Sequence, residues 1–347
     1  MERRNLSTLP PPPGSVKEFI AYPDAINLYY SDHFGLRERL TKTYFKFITK
    51  LRGRSSSDDV TFGKEGWMFL GSIKPGYKRF DDPMGDAINA NLFSEQELEN
   101  FAKSITTTKN WLKNKGIAYI YVIAPNKHSI YFDKFPEYIS KQNRKSSTDQ
   151  LSQYLQEHTD VIVADLRPAL LEEKKTHQVY YKSNTHWNHY GANAAQFEIM
   201  KKIKPLFPGQ ISPWRLDDGQ FEVQSIRGGD LAGLAKIDNI KEESPQPLFK
   251  GRCNPTNEPS RTKDTETHTM VCETQTLNAV IFRDSFFTAL HPYISRYFHR
   301  STYISERLNY DSLKKYVEQE KPDIIIDEVV ERTLPYQHAG IPSGLHF

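Results

Sequence analysis

Hydrophobic positions along the chain follow two spacings, one typical of amphipathic helices and the other of short buried strands. In "FSEQELENFAKSI" the apolar side chains Leu98, Phe101 and Ile105 fall on one helical face. Ser94 and Glu97 form a capping box where that helix begins. The apolar run "GIAYIYVIAP" comes next and has the length of a buried strand, too short to cross a bilayer. The pattern therefore predicts a helix that leads into a buried strand.

The same order of helix and strand recurs farther along the chain. "LSQYLQEH" precedes "VIVADL", and "SLKKYVEQEK" precedes "PDIIIDEVV". Short apolar strands joined by amphipathic helices predict an α/β fold with a mainly parallel sheet covered on both faces. Residues 205–275, rich in Gly, Pro and charge, interrupt this order and indicate an irregular insertion. We expect an amino-terminal arm and helical lead-in over 1–57 and one α/β domain over 58–347.

The charge distribution and the histidine spacing limit which partners and cofactors are expected. The 46 Lys and Arg and 43 Asp and Glu give a net charge of +3, with both signs interspersed. A nucleic-acid-binding protein would cluster its cations, so no nucleic-acid partner is expected. The eleven histidines show no HExxH or other paired ligand spacing, so no metal or other cofactor is implied. The aromatic content of 12% suits a large core or a groove that stacks sugars, and the core is favoured.

The two cysteines, Cys253 and Cys272, flank a polar stretch. They either form a disulfide in an oxidising compartment or remain thiols in a cytosolic protein. The disulfide is favoured because this loop has little else to pack against. The opening "MERRNLSTLPPPPGS" predicts an extended, proline-rich arm, as expected of a chain that continues from a leader or membrane anchor.

Reactive residues are expected at the carboxyl ends of the parallel strands, where such sheets gather function. The strand in "TLNAVIFRDSFFTALHPYI" delivers Ser285 to this edge at the start of an amphipathic helix, where backbone N–H groups stabilise an oxyanion. Ser285 is thus a candidate nucleophile, although Asp284 and Ser285 are also common helix caps. In "KPDIIIDEVVERTLPY", Arg332 is placed either to clamp a developing negative charge or to pair with a nearby Glu.

The stretch "YKSNTHWNHYGANAA" contributes a candidate base. Asn188 can cap the helix that follows, which leaves Asn184 and His186 on the loop before it. A histidine beside Trp187 can simply be packed, and Trp187 itself either shapes the site or belongs to the core. A serine on one strand end and a histidine on another loop nevertheless make a stronger pair than either alone.

These segments resemble the signature regions of the alginate O-acetyltransferase-like branch of the SGNH-hydrolase superfamily, sometimes named for its Asp-His-His-Trp motif. The resemblance is carried by "YYKSNTHWNHYGA", "IFRDSFFTALHPYI" and "KPDIIIDEVVERTL", with further matches in "ERRNLSTLP", "YSDHFGLRERL", "FGKEGWMFLG", "APNKHSIYFDKFP" and "RGGDLAGL". It implies a flavodoxin-like α/β/α fold in which a Ser-His-Asp triad moves an acetyl group onto hydroxyls of an exopolysaccharide. It also implies a periplasmic or cell-surface location, an amino-terminal membrane anchor, and an acetyl donor that a membrane acetyltransferase could relay.

On this resemblance the nucleophile falls on Ser285 and the base on His186, while the triad acid falls on position 184, where the family has Asp and this chain has Asn184. Asparagine keeps the shape of aspartate but cannot offset the charge of an imidazolium. Three explanations stay open. One is a substitution introduced to trap substrate, which the intact neighbouring motifs favour, and another is a slow or inactive member that binds glycan. The third is a rearranged site in which Asp230 or Glu331 supplies the charge.

The expected mechanism is ping-pong: Ser285 takes the acetyl group and passes it to a sugar hydroxyl. Its oxyanion would be held by its own N–H and by Lys127 or Arg332. Three rival functions are kept. An acetylesterase would use the same residues, a non-catalytic exopolysaccharide-binding protein would fit Asn184, and a cytosolic hydrolase would fit free thiols.

Overall fold

A computed structural model describes residues 8–15, 18–19, 22–24, 26–27, 29, 59–73, 79, 81–259 and 267–339. The arm and helical lead-in predicted for 1–57 therefore lie mostly outside the described residues. Within the described part of the chain, every helix is too short or too polar to span a bilayer.

Eleven strands are found among the described residues. They are β1 (Val60–Phe62), β2 (Met68–Leu70), β3 (Ala118–Ala124), β4 (Ile162–Asp165), β5 (Phe221–Arg227), β6 (Lys241–Pro247), β7 (Thr256–Glu258), β8 (Thr267–Val271), β9 (Asn278–Phe282), β10 (Arg300–Ile304) and β11 (Ile324–Val330). The helices are α1 (Pro83–Ala87), α2 (Glu95–Lys113), α3 (Lys127–Ile130), α4 (Ser147–His158), α5 (Arg167–Glu173), α6 (His189–Ile203), α7 (Asp230–Leu234), α8 (His291–Ile294) and α9 (Tyr310–Glu320). Short 3₁₀ turns include Ser285–Leu290 after β9 and Glu331–Ala339 after β11.

The central sheet has seven strands in the order β4-β3-β11-β9-β10-β8-β7. The first five run parallel, and β8 and β7 extend one edge in antiparallel pairing. The longest pairing joins β11 to β3, with Ile324 opposite Ala118 and Val330 opposite Ala124. The carboxyl ends of β3, β9 and β11 therefore meet at one edge of the sheet, where parallel α/β folds place their sites.

Side chains of β3 alternate between two hydrophobic cores. Ile120 and Val122 join the core that also contains the inward face of α6. Tyr121 and Ile123 join the opposite core, which also contains the inward faces of α2, α4 and α9. Because a strand exposes successive side chains on opposite faces, a sheet buried on both sides must be apolar at nearly every position. The predicted α/β/α sandwich with a mainly parallel sheet is confirmed.

Residues 205–275 interrupt the helix and strand alternation, but they are less irregular than the sequence indicates. They form the β5–β6 hairpin, and they supply β7 and β8 to the edge of the main sheet. Most side chains of β5 and all of those of β7 are exposed. These strands bury no apolar face, so they lack the alternation of hydrophobic and polar residues by which a half-buried strand is recognised. The structure joins Cys253 to Cys272 in a disulfide.

Candidate functional site

Ser285 lies exposed just after β9, on a turn fixed to the neighbouring strand. The carboxylate of Asp284 accepts a hydrogen bond from Phe286 N at 2.8 Å and another from Val330 N at 2.8 Å. The N–H of Asp284 donates to Glu328 at 3.0 Å. A single side chain thus caps the 3₁₀ turn and ties it to β11, so that the Ser285 hydroxyl is held at the sheet edge. The helix expected to begin here does begin at Ser285, but its first six residues are 3₁₀ and only the short α8 that follows is α-helical.

A buried lysine, Lys127, anchors the loop that carries His186. Lys127, at the start of α3 after β3, donates through Nζ to the carbonyls of Tyr181, Lys182 and Asn184 at 3.1, 3.0 and 2.8 Å. Its side chain is fully buried near the rings of two aromatic residues. Burial lowers the pKa of Lys127 to about 7. The protonated form satisfies three carbonyls of one loop at once and so fixes its course.

The β5–β6 hairpin holds the same loop from the other side. Glu242 accepts hydrogen bonds from Lys182 N at 2.6 Å and from Ser183 N at 2.8 Å. Gly229, just before α7, lies so close to the loop that a Cβ there would stand 2.4 Å from the side chain of Asn184. Only glycine permits this approach, which brings the next residue, Asp230, beside the histidine loop.

Ser285, His186 and Asn184 form a continuous chain of hydrogen bonds. The distance from His186 Nε2 to Ser285 Oγ is 2.9 Å, and that from His186 Nδ1 to Asn184 Oδ1 is also 2.9 Å. Asn184 Oδ1 additionally accepts from the backbone N–H of His186 at 3.0 Å. Since that backbone group can only donate, the Asn184 atom facing it must be the oxygen. The ring proton then belongs on Nδ1, which leaves Nε2 free to accept the serine proton.

The carboxylate of Asp230 lies just outside this series of hydrogen bonds and reaches it through Thr185. Asp230 Oδ2 is 3.9 Å from His186 Nδ1. It accepts a hydrogen bond from Thr185 Oγ1, and that hydroxyl oxygen is itself 3.1 Å from His186 Nδ1. Asp230 Oδ1 accepts from Thr185 N at 2.8 Å, which fixes the carboxylate in place. The hydroxyl of Thr185 therefore links the imidazole to a negative charge on a different element of the fold.

Electrostatics favour a neutral imidazole. Partial burial lowers the pKa of His186, while the negative charge of Asp230 raises it in part. The nearby charge of Arg332 acts in the same direction as burial. A neutral histidine in contact with a serine hydroxyl can take its proton, which is the state a general base requires.

Three residues predicted for the site have other contacts. In its protonated form Lys127 donates all three protons to backbone carbonyls, so these contacts leave none for an oxyanion and speak against that candidate role. Trp187 is 1% exposed and packs edge to face against Phe286, so it belongs to the core under the site rather than to its open surface. Arg332 donates to Asp81 at 2.8 Å and to Asn126 at 2.9 Å, and it lies over the Phe286 ring.

Of the two alternative acids, only Asp230 lies near the histidine. Glu331 is buried and accepts hydrogen bonds from Asn126 N at 2.8 Å and Ser129 Oγ at 2.6 Å. Burial raises the pKa of Glu331 to about 8. The printed contacts of both Glu331 oxygens are with Asn126 and Ser129 rather than with His186, so the described contacts favour Asp230 over Glu331 as the alternative acid.

Sequence reasoning missed Thr185 and Glu242, although both contact the histidine loop. Thr185 stands between Asn184 and His186 in the chain, and a hydroxyl there was a signal that could have been weighed. Glu242 is partly buried on β6 and gave no comparable signal, because its role depends on which loop the hairpin covers.

Comparison with known proteins places the chain among acetyltransferase-like sequences. A family model described as "SGNH hydrolase-like domain, acetyltransferase AlgX" matches residues 60–291. A protein of Pseudomonas syringae pv. tomato named "Probable alginate O-acetylase AlgJ" is 25% identical over 227 residues, which is 62% of this chain and 51% of that protein. A protein of the same name from Pseudomonas fluorescens is 25% identical over 224 residues, 63% of this chain and 51% of that protein. The chain thus spans about half the length of the curated relatives it matches.

Solved structures show the same fold. PatB1 of Bacillus cereus is similar with a TM-score of 0.52 and 13% identity, over 79% of this chain and 96% of that chain. A DHHW family protein of Eubacterium siraeum is similar with a TM-score of 0.51 and 12% identity, over 70% of this chain and 87% of that chain. At these identities the likeness concerns the fold, with its parallel sheet and covering helices.

Proposed function

Since this chain belongs to the family of SGNH hydrolase-like acetyltransferases represented by AlgX, we propose that it transfers acetyl groups to hydroxyls of an extracellular polysaccharide through an acetyl-serine intermediate. The observation that carries the proposal is the contact between His186 Nε2 and Ser285 Oγ at 2.9 Å, with the second ring nitrogen bound to an acceptor. A base and a nucleophile in hydrogen-bond contact, with the base oriented by a third group, is the arrangement that covalent acyl transfer needs.

In the first half-reaction, His186 removes the proton of Ser285 as the serine oxygen attacks the acetyl carbonyl. The resulting oxyanion receives a hydrogen bond from the backbone N–H of Ser285, at the start of the 3₁₀ turn. When the bond to the donor breaks, the leaving oxygen takes the proton from His186. The products are acetyl-Ser285 and the deacetylated donor.

In the second half-reaction, a sugar hydroxyl takes the place of the leaving group. His186 accepts its proton as the sugar oxygen attacks the acetyl carbonyl, and it returns that proton to Ser285 when the ester bond to the enzyme breaks. Transfer prevails over hydrolysis when the sugar is held in place and the site is kept partly dry.

In this proposal the usual role of the triad acid is shared by two residues, Asn184 and Asp230. Asn184 orients the imidazole and selects the tautomer with its proton on Nδ1. Asp230, 3.9 Å from Nδ1 and linked to it through Thr185, supplies the negative charge that stabilises the imidazolium. The site then works with a carboxylate that stands farther away than in a Ser-His-Asp triad, and we expect a slower enzyme rather than an inactive one.

The setting we propose is outside the cytoplasm, in the periplasm or on the cell surface. The disulfide between Cys253 and Cys272 supports an oxidising compartment. The acceptor is an exopolysaccharide, and the acetyl donor is a small ester or an acetyl group relayed by a membrane acetyltransferase. A membrane anchor preceding the described residues belongs to the same proposal.

Acylation by an activated ester tests the proposal directly. The protein is mixed with 4-nitrophenyl acetate, quenched in acid and digested, and the peptide containing Ser285 is examined by mass spectrometry. One added acetyl group on Ser285, absent in Ser285→Ala and strongly reduced in His186→Ala, supports the mechanism. An unmodified Ser285 peptide in a folded protein would refute it.

Two rival functions give different results in the same preparation. An acetylesterase releases acetate at the same rate with and without polysaccharide, whereas a transferase yields acetylated polysaccharide. A non-catalytic glycan-binding protein, which Asn184 favours as a rival, binds polysaccharide without any acylation of Ser285.

A further inference from the structure

Two arginines stack on neighbouring aromatic rings at the side of the domain that carries the disulfide. The guanidinium carbon of Arg252 is 3.8 Å from the centre of the Trp214 ring, and that of Arg296 is 3.6 Å from the centre of the Phe249 ring. The two rings meet edge to face with their centres 6.2 Å apart. Tyr297 stacks on Trp214 at 5.3 Å and supports the group from within.

Neither guanidinium has an anionic partner among the described residues. No carboxylate among the residues that the structure describes forms an ion pair with Arg252 or Arg296 within 4.0 Å. The Nε of Arg296 is buried without a hydrogen-bond partner, and its NH1 donates to the Pro292 carbonyl. Burial, and next the positive charge of Arg252, lower the pKa of Arg296 to about 10. The positive charge of Arg252 is thus felt at Arg296, and an anion bound beside both guanidinium groups would relieve this repulsion.

The backbone under Arg252 is fixed. The next residue, Cys253, is bonded to Cys272, and the N–H of Cys272 donates to the His299 carbonyl at 2.8 Å. Gly251 turns the chain with a φ of 70°, a conformation that glycine adopts without strain. Arg252 is exposed but stands on a pinned turn, so little conformational entropy would be lost when it binds a ligand.

This arginine pair is separate from the candidate catalytic site. Cys272 and His299 lie at the amino end of β10, whereas Ser285 follows the carboxyl end of β9, which runs parallel to β10. Five residues of strand separate the two ends, a distance of about 15 Å at the usual rise per residue. A ligand at the arginine pair therefore cannot reach Ser285 unless it is a polymer.

We propose that Arg252 and Arg296 form a binding site for the carboxylate of an acidic sugar in a polysaccharide chain. Planar guanidinium groups match the two oxygens of a carboxylate. The rings of Trp214 and Phe249 are only half-buried, and their faces are covered by Arg252, Tyr297 and Arg296, so they offer apolar ring edges beside the charge. The C–H groups of a sugar can pack against such edges, which a bare ion cannot. The choice of a polysaccharide as the source of the carboxylate rests on the proposed function, whereas the oxyanion site itself does not.

Calorimetric titration of the full chain, without any acetyl donor, tests the site. The probes are tri-galacturonate, the neutral sugar maltotriose and inorganic phosphate. We expect tri-galacturonate to bind at least tenfold more tightly than either of the others, and Arg252→Gln to weaken its binding at least tenfold. Arg252→Lys should also weaken it, because lysine keeps the charge but loses the planar pair of donors.

Lys113→Gln, which removes one positive charge from the far end of α2, serves as the matched control and should bind like the parent. Equal binding by Arg252→Gln and the parent, with equal melting temperatures, would overturn the site. Phosphate binding as tight as that of tri-galacturonate would overturn the acidic sugar as its ligand. Arg252 is exposed, so the test does not depend on the folding of an Arg296 variant. Acetylation of Ser285 is a separate measurement on the parent, so a failure there and a failure here are distinguishable.

Discussion

Replacing Asp230 by asparagine tests how the candidate site is charged. Asparagine keeps the shape of the side chain and an oxygen for Thr185 N, but it removes the negative charge 3.9 Å from His186 Nδ1. It also turns the bond to the Thr185 hydroxyl around, because an amide nitrogen donates where the carboxylate oxygen accepted. The Thr185 hydrogen is then free to point at Nδ1, which favours the wrong tautomer of His186. Both changes lower the rate.

The size of the charge effect follows from the distance. At about 4 Å two unit charges attract by about 1 kcal/mol in water and about 4 kcal/mol at the effective dielectric of a protein surface. The side chains of Asp230 and His186 are 42% and 28% exposed, so screening by solvent keeps the interaction within this range. We expect a loss of roughly tenfold to a hundredfold in kcat, because the charge pair exists only when the imidazole is protonated in the transition state.

The assay is the hydrolysis or transfer of 4-nitrophenyl acetate as a function of pH. Asp230 raises the pKa of His186, so its removal lowers that pKa further, and the acid limb of kcat/KM moves to lower pH while the plateau falls. A loosened loop alone would lower the plateau without moving the limb. Glu243→Gln, which neutralises an exposed carboxylate on the same hairpin, should change neither.

A second substitution, Asn184→Asp, forms a double-mutant cycle with Asp230→Asn. Asn184→Asp places a charge in direct contact with His186 and should raise kcat at least tenfold, and in that background Asp230→Asn should cost less than it does alone. A rate for Asp230→Asn within threefold of the parent, with an unmoved acid limb, would refute the division of the acid's role between Asn184 and Asp230.

Three further predictions concern the scaffold. Lys127→Met leaves three part-buried carbonyls without a donor, and denaturant unfolding should show a loss of at least about 2 kcal/mol; an unchanged midpoint would contradict the anchoring role. Burial raises the pKa of Glu331 from 4.5 to about 8, so the parent should lose stability as pH rises between these values, and melting temperatures of Glu331→Gln should depend less on pH across that window. Replacing Cys253 and Cys272 by serine should lower the free energy of unfolding by about 3 kcal/mol, and the reduced parent should behave alike.

Local signals account for the parts of the fold that the sequence predicts well. The helix after Ser94 begins where its capping box indicates, because that signal lies within four residues. The run before Pro125 becomes β3, because burial on both faces demands an apolar side chain at nearly every position. Strands β5 and β7 were missed since their side chains face solvent, and their pairing depends on partners that the local sequence does not reveal.

The candidate site likewise has some features that the sequence predicts and others that it does not. Ser285, His186 and Asn184 stand at ends of elements whose edges a parallel sheet brings together, so their proximity could be predicted, and their catalytic roles stay predictions. The contacts of Lys127 could not be predicted from the sequence. Every residue has a backbone carbonyl, so the residue types of the loop do not show which carbonyls accept a hydrogen bond. The position of Asp230 depends on the close packing permitted by Gly229, and a glycine in a polar loop has many other uses.

The close packing at Gly229 bears on how such sites evolve and how they are recognised. The carboxylate near His186 belongs to α7, which is remote in sequence from the histidine loop, so in the proposed mechanism an acid at position 184 and one at position 230 would serve the same imidazole. On the same proposal, a lineage that gains the second carboxylate before it loses the first keeps a charged partner for His186 at each intermediate. A motif search that demands aspartate two residues before the histidine would then discard members that the proposed mechanism expects to be active.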